Sequence, residues 1–180
     1  MKFIKGRLSG TYIIEPDVFS DSRGFFLETY SRREFEKVGI KLDFVQDNWS
    51  RSVKNTVRGL HYQINPGQDK LVRAVSGEIF DVAVDIRRDS PTFGEWDGCR
   101  LSVENKRQFF IPKGFAHGFC VISDTADLMY KCSDFYSPGD ERGIIWNDPE
   151  IGIKWPLDGE PVLSRRDLAS PSLKNCEKYF

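Results

Sequence analysis

The chain has 180 residues, 39% of them hydrophobic and four of them cysteines, and its formal net charge is −1 at pH 7. This composition supports one packed domain over residues 1–180 and excludes a disordered protein, while the near-neutral charge excludes a general attraction to nucleic acid or to an acidic membrane. No run approaches the ~20 apolar residues of a membrane span or forms a signal peptide, and the cysteines show no C-x-x-C spacing, so we expect a cytoplasmic protein with free thiols.

Short runs of alternating or aromatic residues predict many β-strands, separated by turn-forming sequences. In chain order these runs are TYIIEPDVF, GFFLETY, FVQDNWS, VRGLHYQ, KLVRAVSG, GEIFDVAVDIRR, CRLSVE, QFFIPKG, HGFCVIS and ADLMYKCSDFY. One helix is predicted at SRREFEKVG, with Ser31 and Glu34 as a capping box, Gly39 as its stop, and a position outside the sheets. The last two dozen residues are expected to be irregular. Many short strands at near-regular spacing favour a sandwich or barrel.

The run GEIFDVAVDIRR alternates cleanly and indicates what surrounds its strand. One face carries Phe80, Val82, Val84 and Ile86, and the other carries Ile79, Asp81, Ala83 and Asp85. Because the second face is also partly apolar, we expect both faces to be covered. A double-sheet jelly roll or small barrel does this by enclosing a partly polar cavity, where we expect the chemistry.

The run VRGLHYQ carries Arg58 and His61, the latter one of two histidines in the chain. Positions three apart on a strand point to opposite faces, unless a bulge near Gly59 brings them round. The residues alone leave two interpretations open: a surface arginine with an interior histidine, or a shared functional site. A catalytic metal is not expected, because Gln63 stands where a His-x-His metal motif has its second histidine.

Several longer blocks resemble the dTDP-4-dehydrorhamnose 3,5-epimerase family, almost from end to end. They are RGLHYQ, DKLVRAVSGEIFDVAVDIRR, SPTFGEW, FFIPKGFAHGF, YKCSDFYSPGDERGIIWNDPEIGIKWP and LSRRD. The resemblance implies an all-β cupin-type double-sheet jelly roll with a few short peripheral helices, a homodimer, and no metal or organic cofactor. It also implies a nucleotide-sugar substrate, a dTDP-linked 4-keto-6-deoxyglucose inverted at C3 and C5 through enolates.

The resemblance also assigns catalytic residues. His61 would be the base, since an imidazole both accepts and donates protons near neutral pH, and Asp167 in LSRRD would orient its ring. Tyr130 in LMYKCSD would be the acid on the opposite face, and Lys70 in GQDKLVRA would stabilise the enolate oxygen. Without the resemblance, Asp167 would be one more polar-tail carboxylate, Tyr130 a core aromatic residue and Lys70 a strand-edge lysine.

Further matches fall on positions that bind the nucleotide. Arg23 and Arg58 would bind the diphosphate, although a solvated turn arginine is the alternative for Arg23. Tyr136 would stack on the thymine. In the family a dimer partner contributes part of this rim, and lysine often stands where this chain has Arg166. The other matched positions are Phe26 and Glu28, expected on one strand face, Gln46 with Asn48, Glu141 and Arg166.

His117 in GFAHGF is expected to be neutral and hydrogen-bonded in the sugar pocket, with a structural strand-end histidine as the alternative. Asp81 could neighbour Lys70 and hold it in place, and Asp85 on the same strand face is equally available.

Three other functions remain open: an epimerase of C3 or C5 alone on a related nucleotide-linked 4-keto sugar, a non-catalytic cupin that binds sugars, and a metal-dependent cupin oxygenase. The base His61, the acid Tyr130 and the enolate-stabilising Lys70 are all present, which argues against the non-catalytic protein.

Overall fold

The structure, a computed structural model that describes residues 1–177, is built mainly of β-strands. Its helices are α1 (Arg32–Lys37), α2 (Arg165–Leu168) and a 3-10 turn (Leu173–Asn175). None of the helices in residues 1–177 has the length and apolar character needed to cross a membrane. The strands are β1 (Lys2–Lys5), β2 (Tyr12–Glu15), β3 (Val18–Asp21), β4 (Gly24–Leu27), β5 (Gln46–Val53), β6 (Val57–Gln63), β7 (Lys70–Ser76), β8 (Glu78–Asp85), β9 (Trp96–Ser102), β10 (Gln108–Ile111), β11 (Phe115–Val121), β12 (Thr125–Cys132) and β13 (Glu141–Gly143).

These strands form two large antiparallel sheets and a separate hairpin. The six-stranded sheet has the order β1-β2-β10-β7-β12-β5, the five-stranded sheet has the order β13-β6-β11-β8-β9, and β3 pairs with β4 in the hairpin. Strands that follow each other along the chain often lie in different sheets, as β6 and β7 do. Such crossing between two antiparallel sheets is typical of a jelly roll. The prediction of an all-β double-sheet jelly roll with short peripheral helices is confirmed.

The alternation along β8 places its two faces in two different cores. Ile79 and Ala83 are fully buried in a cluster that includes Leu128 of the six-stranded sheet. Val82 and Val84 are fully buried on the other face, in a cluster completed by residues that follow β13. Full burial of a side chain such as Val or Ile stabilises the fold by ~1.5–3 kcal/mol. The expectation that both faces of this strand are covered is confirmed.

Helix α1 packs outside the sheets, as predicted, with Phe35 fully buried on the outer face of the six-stranded sheet. The predicted capping box is wrong: Ser31 is the N-cap residue, but its side chain makes no cap hydrogen bond. The Glu34 carboxylate lies 2.6 Å from Lys37 Nζ, and this ion pair turns it toward the end of the helix. Gly39 has φ +86°, a left-handed conformation that glycine adopts without strain, so the predicted stop is confirmed.

The expectation of an irregular C-terminal tail is wrong in part. Helix α2 begins after Ser164, whose Oγ accepts the backbone N–H of Asp167 at 3.0 Å, and the 3-10 turn follows a few residues later. A helix of one turn is too short to show an apolar periodicity, so the pattern that identified α1 could not identify α2. This short helix has a functional consequence, because it buries the side chain of Asp167.

Candidate active site

A cavity of about 350 Å³ is lined by side chains from both sheets. The five-stranded sheet supplies His61 from β6, His117 from β11 and Glu141 from β13. The six-stranded sheet supplies Lys70 from β7 and Tyr130 from β12. The candidate base and the candidate acid therefore belong to different walls of one cavity. The lining also includes four more of the predicted residues, Gln46, Asn48, Tyr136 and Arg166.

Strand β6 is bulged at Gly59, as predicted. His117 pairs with His61 and Phe119 pairs with Arg58, so β6 has one more residue than β11 between these two pairs. Gly59 has φ +123°, and a Cβ placed there would lie 2.6 Å from the Gly118 Cα, so the close approach of the two strands requires glycine. The bulge sets the direction of the His61 side chain toward the cavity.

Arg58 itself lies outside the cavity lining. Its side chain is exposed, and its guanidinium donates to Ser52 Oγ at 3.0 Å and to the carbonyl oxygen of Arg51 at 3.4 Å. Its charge nevertheless acts on the cavity, because it opposes the rise in the pKa of Tyr130. The expectation that one wall presents Arg58 and His61 side by side is therefore not met: Arg58 lies beyond the rim.

Asp167 lies directly behind His61. Its Oδ1 is 2.6 Å from His61 Nε2, and its side chain is only 4% exposed. Ser164 Oγ donates to Oδ2 at 2.8 Å, and the backbone N–H of Gly59 also favours the charged form of this carboxylate. Burial raises the pKa of Asp167, but the hydrogen bonds from His61 and Ser164 outweigh burial and hold that pKa below its usual value. The carboxylate is an anion that fixes the imidazole ring.

Lys70 presents a charged group that the protein does not pair. Among residues 1–177, its ammonium has no hydrogen-bond or ion-pair partner. Burial lowers the pKa of Lys70, whereas the negative charge of Glu141 and Asp81 opposes this effect. An unpaired, partly desolvated cation beside a cavity is suited to an oxygen that gains negative charge.

Tyr130 presents a phenol on the same wall. Burial is the main reason that the pKa of Tyr130 rises to about 12. Its hydroxyl, like the ammonium of Lys70, has no hydrogen-bond partner within residues 1–177. At neutral pH the group is therefore a protonated donor that no protein acceptor occupies.

His117 is bonded to Asp81 at the floor of the cavity. Its Nε2 lies 2.6 Å and 3.0 Å from the two carboxylate oxygens of Asp81, and both side chains are buried. Burial lowers the pKa of His117, although the charge of Asp81 opposes the effect, so the expectation of a neutral ring agrees with the structure. Asp81 acts on Lys70 only through its charge. Asp85 is bonded to Arg87 at 2.6 Å, so the alternative that Asp85 holds Lys70 is wrong.

The outer part of the cavity is a hydrogen-bonded rim. Glu141 Oε2 accepts from Tyr136 Oη at 2.6 Å and from Arg166 Nη1 at 2.5 Å. Gln46 accepts the backbone N–H of Tyr136 at 2.9 Å and donates to Asn48 Oδ1 at 2.9 Å. These bonds fix an aromatic ring, an arginine and two amides around one opening. Groups of this kind can bind a nucleotide.

Three predicted residues lie away from this cavity, in or next to the β3–β4 hairpin. The Arg23 side chain is 88% exposed, and its Nη2 lies 2.6 Å from Asp21 Oδ2. Phe26 is 70% exposed. Glu28 is exposed and follows the last residue of β4, so it lies just beyond the strand that carries Phe26. Within one chain, these residues are not brought to the site.

Some lining residues were not predicted. Cys132 follows Tyr130 by two positions on β12, and the period of a strand could have identified it. Gln63 donates to the carbonyl oxygen of Phe135 at 3.0 Å, which supports the segment that carries Tyr136. The other members of the lining that were missed are Tyr62 and Gln68.

Each of the two histidines is bonded to one aspartate, His61 to Asp167 and His117 to Asp81. In the described part of the chain, residues 1–177, no group of three His, Cys, Asp or Glu side chains could hold a metal ion. The groups that the cavity does present are proton donors, proton acceptors and a cation.

Comparison with known proteins gives consistent matches. The family model described as dTDP-4-dehydrorhamnose 3,5-epimerase matches residues 5–175. A dTDP-4-dehydrorhamnose 3,5-epimerase of Shigella flexneri is 56% identical, covering 100% of this chain and 99% of the relative, and one of Pseudomonas aeruginosa is 56% identical, covering 99% of each. The crystal structure of a dTDP-6-deoxy-D-glucose-3,5-epimerase from Legionella pneumophila, in complex with dTDP-4-keto-L-rhamnose, has a TM-score of 0.95 and 51% identity, covering 97% of this chain and 93% of that chain.

Proposed function

The chain belongs to the dTDP-4-dehydrorhamnose 3,5-epimerase family, and we propose that it inverts C3 and C5 of dTDP-4-dehydro-6-deoxyglucose to give dTDP-4-dehydro-L-rhamnose. Both carbons flank the C4 ketone, so removal of a proton from either gives an enolate, and return of a proton to the other face inverts the centre. Such a reaction moves only protons, and a base, an acid and a stabilising charge are sufficient for it.

The observation that carries this proposal is the arrangement of His61 and Tyr130. His61 lines the cavity from the five-stranded sheet and Tyr130 lines it from the six-stranded sheet, with Lys70 on the wall of Tyr130. A substrate between the two walls meets a base on one face and an acid on the other. This is the arrangement that inversion requires.

We assign the steps as follows. His61 removes the proton next to the ketone, and Asp167, 2.6 Å from its ring, stabilises the imidazolium that forms. The ammonium of Lys70 stabilises the negative charge on the C4 oxygen. Tyr130, whose pKa burial raises to about 12, keeps its proton at neutral pH and donates it to the more basic carbon of the enolate.

The rim is proposed to bind the nucleotide. Tyr136 stacks on the thymine, and Glu141 and Arg166, which are bonded to each other, contact the base and the substrate. Gln46 and Asn48 line the pocket for the nucleotide and the sugar, and His117 lies deeper, at the sugar. Arg58, beyond the rim, has a fork of donors suited to the diphosphate.

The hairpin residues support the proposal of a homodimer. Phe19 is 64% exposed and Phe26 is 70% exposed, and contiguous exposed aromatic rings on a soluble chain indicate a surface that is covered by a partner. We propose that Arg23, Phe26 and Glu28 complete the site of the second copy. The chain itself, residues 1–180, is proposed to act as one domain, and its four buried free cysteines support a cytoplasmic location.

This exchange of residues between copies can be tested with two variants that we expect to be inactive on their own, R23A and H61A, coexpressed in one cell. In a mixed dimer, the pocket of the R23A chain has His61 and receives an intact hairpin from the other chain. Activity above that of either separate variant is therefore expected. If R23A alone has full activity, or if the mixed preparation shows no recovery, the proposed role of the hairpin is wrong.

The proposed reaction is tested by turnover in deuterium oxide, with NMR and mass spectrometry of the product. Deuterium is expected at both C3 and C5, because each inversion passes through an enolate that takes up solvent hydrogen. Label at one carbon only would restrict the protein to a single epimerisation, and label at neither would refute the proposal. The H61A variant should lose exchange while still binding dTDP, and wild-type exchange in H61A would refute the assignment of the base.

A further inference from the structure

Ser164 holds the Asp167 carboxylate from the side opposite His61. Its Oγ accepts the backbone N–H of Asp167 at 3.0 Å and donates its own hydrogen to Asp167 Oδ2 at 2.8 Å. A hydroxyl has one hydrogen to donate and two lone pairs, so a single oxygen makes both bonds. Oδ2 is thereby engaged, and Oδ1 remains directed at His61 Nε2, 2.6 Å away.

Neither of these bonds is a general property of the helix caps in residues 1–177. Ser31 and Ser172 are the N-cap residues of α1 and of the 3-10 turn, and neither makes a side-chain cap hydrogen bond. Helix α2 has only four residues, and a single turn has little stability of its own. The direction of the Asp167 carboxylate therefore depends on its local bonds, and Ser164 provides the one that fixes Oδ2.

We propose that Ser164 is a positioning residue for the epimerisation, acting through Asp167 to hold the His61 ring toward the substrate. This inference rests on the proposed function. Ser164 does not line the cavity, so its loss should lower kcat and leave KM nearly unchanged. A residue that served only to cap α2 would change stability instead.

The pH dependence of the reaction gives a second readout. The titratable and charged groups near Asp167 are His61 on β6, which bonds it, and Arg166 on its own helix, which is turned to Glu141 of β13. The bond from Ser164 is one of those that lower the pKa of Asp167. Without it this pKa rises, so protonation of Asp167 begins at a higher pH. In the pH profile of kcat, the fall on the acid side is therefore expected to begin at a higher pH.

The experiment compares four variants of the full chain: S164A, S164T, S164D and S172A. S164T keeps the hydroxyl, whereas S164D can still accept the Asp167 N–H as a cap but has no hydrogen to donate to Oδ2. S164A and S164D should each lose about tenfold or more in kcat, the loss expected for a hydrogen bond to a charged group, with KM within about twofold. S164T should retain most of the activity. S172A changes a cap serine that makes no side-chain bond, and it should behave as wild type.

Two results would overturn the inference: wild-type kcat in S164A, or recovery of wild-type kcat in S164D, which would show that capping alone matters. A readout without substrate separates this failure from failure of the proposed function. The ring N–H of His61, bonded to Asp167, should give a downfield proton NMR signal that persists in S164T and is lost in S164A and S164D. If that signal is unchanged in S164A, Ser164 does not position the pair, whatever reaction the protein catalyses.

Discussion

Replacement of Asp167 by Asn tests how much the carboxylate contributes to the reaction. The change keeps the size of the side chain and removes the charge that lies 2.6 Å from His61 Nε2. With the centres of charge about 4 Å apart and an effective dielectric constant near 20, an imidazolium and a carboxylate attract by about 4 kcal/mol. Because the imidazolium forms only during the reaction, this energy stabilises the transition state and corresponds to ~10³ in rate.

We therefore expect D167N to lower kcat by ~10²–10³, with KM within about threefold because Asp167 does not line the cavity. The assay is steady-state conversion of the 4-keto substrate, coupled to reduction of the product. D127N is the matched control, since Asp127 is a buried carboxylate that pairs with Arg51 at 2.6 Å outside the cavity. Its kcat should stay near wild type. A D167N enzyme with kcat within about threefold of wild type would refute the reasoning.

Three further predictions concern the opposite wall and the core. Tyr130→Phe should still exchange deuterium next to the ketone, since His61 is intact, but should fail to invert the exchanged centre; normal inversion by this variant would exclude Tyr130 as the acid. Burial lowers the pKa of Lys70 and raises that of Tyr130 to about 12, so loss of activity as the pH rises should follow Lys70 first. K70R should shift this alkaline loss of activity to higher pH. A loss that begins at the same pH as in the wild type would contradict the assignment to Lys70. Leu128→Ala, in the core between the sheets, should lower the free energy of unfolding, measured with urea, by ~2–5 kcal/mol. V162A, at an exposed position, should lower it by under ~0.5 kcal/mol. Equal losses in the two variants would contradict the assigned core.

Features that depend on local physics could be predicted from the sequence. The alternation along β8 indicated that both of its faces are covered, because side chains of a strand point to its two sides in turn. Gly59 indicated the bulge in β6 for an equally local reason, since a glycine is required where the backbone is left-handed and close to another strand. The all-β fold follows from the accumulation of such signals along the chain.

Features that depend on distant contacts could not be predicted from local pattern. Asp167 becomes functional only because α2 carries it to β6, 106 positions away in sequence, and no spacing rule connects it with His61. The bond between His117 and Asp81 likewise joins two strands, β11 and β8, whose pairing a single sequence does not reveal. Only the family resemblance identified Asp167 in advance. It identified Arg23 as well, yet the described chain leaves that side chain exposed and away from the cavity.

The fold itself explains how a single set of groups can invert two carbons. In a jelly roll the inner faces of the sheets oppose each other, so a base on β6 and an acid on β12 necessarily approach a bound sugar from different sides. C3 and C5 flank the same ketone, and the charge that develops in either step is on the same C4 oxygen. One ammonium, Lys70, therefore serves both enolates, provided that it stays unpaired by the protein, as it is among residues 1–177. The second inversion then requires that His61 release the proton it took and Tyr130 regain the one it gave, both by exchange with solvent, and that the sugar present its other carbon to the same pair of walls.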